Sequence, residues 1–103
     1  MNKPKSIKII ITTVTLLAVI SYGLFFSEAR NEIYFLCGNF TEGVPYSSVT
    51  RQLDTITLSD YSIQDTDNGS RIIHSSQINF RLLKCQIDFV DDRVSSAVYD
   101  GIL

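Results

Sequence analysis

The chain opens on a long apolar run and then changes character. Ile9 to Phe26 reads Ile-Ile-Ile-Thr-Thr-Val-Thr-Leu-Leu-Ala-Val-Ile-Ser-Tyr-Gly-Leu-Phe-Phe, with no charged residue. As a helix it spans roughly 27 Å, close to the hydrocarbon thickness of a bilayer. Thr12, Thr13, Thr15 and Ser21 can return hydrogen bonds to their own helix, so they do not forbid insertion. From Ser27 the chain turns polar, and residues 27–36 read as a spacer. Within it, Ile33 to Leu36 is apolar, and is either the end of the membrane helix or the start of the domain. Tyr46, Val49 and Leu53 then form a stripe on one helical face, and Gly43-Val44-Pro45 behind Thr41 or Glu42 suits a helix start. Thr57 to Tyr61 reads as a second short helix or a turn, with Ser59-Asp60 as its stop or cap.

After that the period becomes two. Tyr61 and Ile63, joined by Asp65, share one face of a strand. Asp67-Asn68-Gly69 predicts a hairpin turn, because Asn and Gly tolerate positive φ. Arg71 to Ser76 returns as the second strand. Phe80, Leu82 or Leu83, Cys85, Ile87 and Phe89 make the third, with Lys84, Gln86 and Asp88 on its opposite face. Asp91-Asp92 is a second tight turn, and Arg93 to Tyr99, with Val94, Ala97 and Val98, is the fourth strand. The fold class is therefore α+β: an N-terminal transmembrane helix, then one or two short helices packed on a three- or four-stranded antiparallel meander. The expected divisions are a basic tail 1–8, a membrane helix 9–26, a spacer 27–36 and a folded domain 37–103.

Charge sharpens this division. Lys3, Lys5 and Lys8 precede the apolar run with no acid among them, whereas all 11 Asp and Glu lie from Glu28 onward, against Arg30, Arg51, Arg71, Arg81, Lys84 and Arg93. The basic tail places the N-terminus in the cytoplasm and the domain beyond the membrane, and Tyr22, Phe25 and Phe26 suit the far interface. The expected location is the inner (plasma) membrane, single-pass, with a periplasmic domain. The rival is a secreted protein cut near Ala29, since Ser27-Glu28-Ala29 has small residues where signal peptidase reads. The length of the apolar run and the bulk of Phe25 and Phe26 favour an anchor. An acidic domain repels phosphate backbones, which argues against nucleic acid.

Cys37 and Cys85 are the only cysteines. An oxidising compartment favours pairing them, the alternative being two buried thiols. The bond would close a loop of roughly 50 residues, worth roughly 4 kcal/mol in the loop-entropy picture. With the lone His74 they fall short of a zinc quartet. His74 has no nucleophile motif around it and reads as a sheet-surface residue. Asp88, Asp91 and Asp92 lack calcium-loop spacing and read as a solvated turn. Asn39-Phe40-Thr41 and Asn68-Gly69-Ser70 match the glycosylation triplet but read as turn and cap residues. No catalytic set, metal, cofactor or small-molecule substrate is expected.

Gly43-Val44-Pro45-Tyr46-Ser47-Ser48-Val49-Thr50-Arg51-Gln52-Leu53, the Asn68-Gly69-Ser70 turn and Cys85-Gln86-Ile87-Asp88-Phe89-Val90-Asp91-Asp92-Arg93-Val94 resemble the helix, turn and hairpin motifs of SmpA/OmlA-type proteins. These include a small lipoprotein of the outer-membrane β-barrel assembly machinery. Asp54 stands where that family usually has glycine, and there is no lipobox cysteine. The resemblance, over residues 43–99, implies a domain that binds protein rather than turning over substrate. The expected function is an anchored protein-binding domain, an accessory subunit of an envelope complex. An inhibitor or immunity protein against an exported toxin or hydrolase is the alternative.

Overall fold

The computed structural model describes residues 3–101; residues 1–2, 102–103 and the side chains of Lys3 and Pro4 lie outside the described part. The elements run α1 (Lys3–Asn39), α2 (Tyr46–Leu53), β1 (Asp60–Thr66), β2 (Gly69–Ser75), β3 (Leu83–Val90) and β4 (Arg93–Gly101). The strands form one antiparallel sheet in the order β1-β2-β3-β4, a meander.

α1 departs from expectation in a consequential way. Residues 27–36, read as a spacer, are helical and continue the apolar segment without a break. Along the N-terminal part, Ile9 to Ile20 stand exposed on every side, and the helix is long and apolar enough to cross a membrane. Further on, Ala29, Ile33 and Cys37 are buried on one face, and Phe40, just past the helix end, is buried with them. Their spacing of three or four residues is the stripe a helix presents to a core. One helix thus carries both the apolar run and one layer of the domain.

That layer, with Val49 and Leu53 of α2, covers one sheet face. From the sheet come Ile72, Leu83, Cys85, Ile87, Phe89 and Val94, all buried. Register explains the match: Ile72 lies opposite Ile87, and His74 opposite Cys85. On β4 the pairing shifts between Asp88 and Phe89, so Ser95 is an extra residue. This bulge lets Val94 and Ala97, three apart, share the covered face. The other face carries Arg71, Gln86 and Asp88, with Arg71 and Asp88 paired at 2.6 Å.

The turns divide their work differently from expectation. Asp67-Asn68 connects β1 to β2 without positive φ, while Asp91 (φ 54°) and Asp92 (φ 60°) are both left-handed. The second hairpin is therefore the one with the primed-type turn. Gly69 is needed for room: a Cβ there would lie 2.1 Å from the Phe89 carbonyl oxygen. Gly43 (φ 93°) does use its conformational freedom, and its N–H donates to Val94 O. α2 ends on Asp54 in a right-handed conformation, so the helix end has no left-handed position that calls for glycine. Of the short helix or turn expected over Thr57 to Tyr61, the structure shows a bend at Thr57–Leu58 and no helix, and the chain enters β1 at Asp60. Glu32 explains this, since it takes the free backbone N–H groups of Thr57 and Leu58. Phe80, expected in the third strand, precedes it in a turn and is exposed; of Leu82 and Leu83, Leu83 opens β3 and is buried, while Leu82 stays in the turn, exposed.

Candidate functional site

Three places gather side chains of interest. The first is a cleft where α1, beyond its apolar run, meets the edge of the sheet. Tyr34, Phe35, Cys37, Gly38 and Asn39 of α1 face Ala97 and Tyr99 of β4 across about 390 Å³. Helical spacing puts Tyr34 and Phe35 on the flank beside the buried Ile33–Cys37 stripe, where they stay more than half exposed. Tyr34 meets Tyr99 edge to face at 5.3 Å, and Phe35 at 5.6 Å. The Tyr99 hydroxyl is buried with no hydrogen-bond partner among the described residues. Beside the cleft, β4 is an edge strand. Its start is covered by residues 43–46, through Val94 N–H to Val44 O and, just before the strand, Tyr46 N–H to Asp92 O. No strand pairs with the remainder on that side among the described residues. Exposed aromatics next to an open strand edge suit an extended peptide or a protein surface.

Cys37 and Cys85 lie at the floor of this region. They are joined, with Cα atoms 5.7 Å apart, well inside the reach of a disulfide. The bond ties α1 to β3 at the centre of the core.

The second place is buried. His74 was expected on the sheet surface; it is fully enclosed, because its β2 position faces α1 instead of solvent. Its Nε2 lies 2.6 Å from Ser59 Oγ, and the Ser59 hydroxyl donates to Glu32 of α1. With that proton committed to Glu32, Nε2–H donates to Ser59 and the imidazole is neutral. Burial pushes the His74 pKa down to about 4, against the opposing pull of Glu32 and Asp60. A serine, a histidine and a carboxylate are thus together, a juxtaposition no local motif announced. Their order differs from a nucleophile relay, in which histidine stands between acid and serine. Here serine stands between. The Glu32 carboxylate also accepts from Thr57 N–H and Oγ1–H and from Leu58 N–H, so the cluster fastens α1 to the loop before β1.

The third place is the turn from Ser76 to Leu82, beside the last turn of the apolar run. Tyr22 donates its hydroxyl to Ile78 O at 2.6 Å, and Asn79 Nδ2 donates to Phe26 O at 3.2 Å. Phe80 (φ 54°) and Arg81 (φ 55°) are both left-handed, at a cost of about 1 kcal/mol or more each. Arg81 is held by Asp60 at 2.9 Å and Ser75 Oγ at 2.7 Å. Its hydrogen bond keeps the Asp60 carboxyl below the usual carboxylate pKa.

Of the anchor residues named from sequence, Tyr22 and Phe26 contact the domain, while Phe25 is half exposed. Asp88 pairs with Arg71, and Asp91 and Asp92 form the turn. Among the described residues no three His, Cys, Asp or Glu side chains converge as a metal cluster. No family model, curated protein or solved structure matches the chain.

Proposed function

We propose that the chain is a single-pass membrane protein, N-terminus in the cytoplasm, whose extracytoplasmic domain binds another protein of the cell envelope as an accessory subunit. The observation that carries this reading is the continuity of α1. The apolar helix is also a layer of the domain's core, so the domain is mounted at a fixed height with its aromatic cleft facing sideways. Three lysines before the run support the orientation. The residues around Ser27-Glu28-Ala29 are helical and Ala29 is buried, which supports an anchor that stays attached. Tyr34 lies about two turns beyond Phe26, so the cleft sits roughly 12 Å above the end of the apolar run. Its partner is then a protein embedded in, or held close to, the same membrane. The resemblance of residues 43–99 to SmpA/OmlA-type proteins supports protein binding over catalysis.

Photocrosslinking tests this. A benzophenone amino acid at Tyr34 or Phe35, in full-length chain at native expression, should yield one discrete adduct in membranes. The same probe at exposed Glu42 should not. Labelling at Tyr34 and Phe35 no stronger than at Glu42 would refute the cleft as the binding surface.

A further inference from the structure

We propose that the turn from Ser76 to Leu82 is a second membrane contact. Phe80 and Leu82 enter the boundary between lipid headgroups and acyl chains beside α1, so the domain rests on the bilayer. The proposal builds on the reading of α1 as a membrane span.

Depth is the first argument. The turn is fastened to α1 at Tyr22 and Phe26, one helical turn apart and at the end of the apolar run. If that run crosses the bilayer, the backbone at Ile78 and Asn79 lies at the interface, within roughly 6 Å of the run's end. Exposure is the second. Phe80 is 73% exposed and Leu82 45%, at the same level as half-exposed Tyr22 and Phe25. The third is the construction of the turn. Two successive left-handed residues, neither a glycine, hold Phe80 outward, closed by Phe80 N–H to Gln77 O, Arg81 N–H to Ser76 O and Leu82 N–H to Asn79 O. An aromatic held out of the fold at this depth is suited to the interface, where amphipathic and aromatic groups insert. Charge does not oppose it: Ser76 to Leu83 contains no acid, and Asp60, which lies against the turn, is paired with its Arg81.

The chain has no tryptophan, so one introduced residue reports alone. Full-length Phe80→Trp would be reconstituted in phosphatidylcholine vesicles, with and without acyl-chain-brominated lipid. Phe25→Trp on α1 and Asp67→Trp, in the turn at the far end of the sheet, are the references. The expected result is blue-shifted Phe80→Trp emission, quenched by brominated lipid to at least about half the extent of Phe25→Trp, with Asp67→Trp unquenched. Leu82→Trp is a second reporter should Phe80→Trp fail to form its disulfide. Quenching no greater than at Asp67→Trp, while Phe25→Trp is quenched, would overturn the proposal and leave the span intact. Blue-shifted emission without quenching would place the turn against protein, a second copy included, and would also overturn it. An unquenched Phe25→Trp would remove the span itself.

Discussion

Acid should loosen this domain through His74. In the fold the imidazole is enclosed, donates to Ser59, and has its pKa pushed from 6.5 down to about 4 by burial. In the unfolded chain it titrates near its ordinary value. Between those two values the unfolded state binds a proton that the folded state refuses. Stability is therefore complete above pH 6.5 and is lost as pH falls toward 4. Each pH unit across that window costs about 1.4 kcal/mol, so the whole shift is of order 3 kcal/mol. Glu32 and Asp60 face the ring and favour its protonation; desolvation outweighs them. The assay is chemical denaturation of the full chain in detergent micelles at about pH 7.5 and about pH 5, above the main carboxylate range. Wild type should lose about 2 kcal/mol between them. His74→Gln, which can still donate to Ser59, should start less stable and lose much less. Equal losses in both proteins would show that His74 is not the titrating group and refute the reasoning.

Gly69→Ala should destabilise by at least about 2 kcal/mol in the same assay, because its Cβ would collide with the backbone of Phe89, which cannot swing away. Cys85→Ala should cost roughly 2–5 kcal/mol, and non-reduced, alkylated wild type should show no free thiol. Intact mass of the membrane-extracted protein should match the full chain, with or without Met1; a product beginning at Arg30 would show cleavage.

The broad fold was legible because its signals are local. A long uncharged run, a helical stripe at Tyr46, Val49 and Leu53, and alternation through β3 need only neighbouring residues to be read. Misreadings arose where distant groups decide. Polar Glu28, Arg30, Asn31 and Glu32 look like a spacer, yet Phe26, Ala29, Ile33, Cys37 and Phe40 continue a helical stripe straight through it, and that stripe was available in the sequence. Phe80 and Leu82 are apolar, two apart and next to β3, so they read as strand, although they are out of phase with its buried Leu83, Cys85, Ile87 and Phe89. Nothing local reveals the left-handed turn, since it contains no glycine. The Glu32–Ser59–His74 cluster draws on three separate elements and leaves no motif. The cleft is likewise a product of assembly: Tyr34 and Tyr99 come from opposite ends of the domain sequence.

The continuity of α1 makes anchoring and folding one problem. A domain this small has little core to spare, and α1 supplies Ala29, Ile33 and Cys37 to it. It also carries the carboxylate that fastens the loop before β1 and the tyrosine that fastens the turn before β3. Removing residues up to Ala29 would strip the helix of Tyr22 and Phe26, freeing the Ser76–Leu82 turn. The remaining helix would be too short to persist by its own propensity and would depend on Ile33 and the Cys37–Cys85 bond. In the uncut chain the same connections work in reverse. Any tilt or rotation of the apolar segment moves the sheet with it, because no flexible spacer intervenes and three separate contacts oppose bending. If the apolar helix spans a membrane as proposed, the direction in which Tyr34, Phe35 and the β4 edge face is set by how that helix sits there. On the proposed reading, in which α1 spans the membrane and the cleft binds a partner, recognition would depend on the apolar segment as well as on the residues that line the cleft.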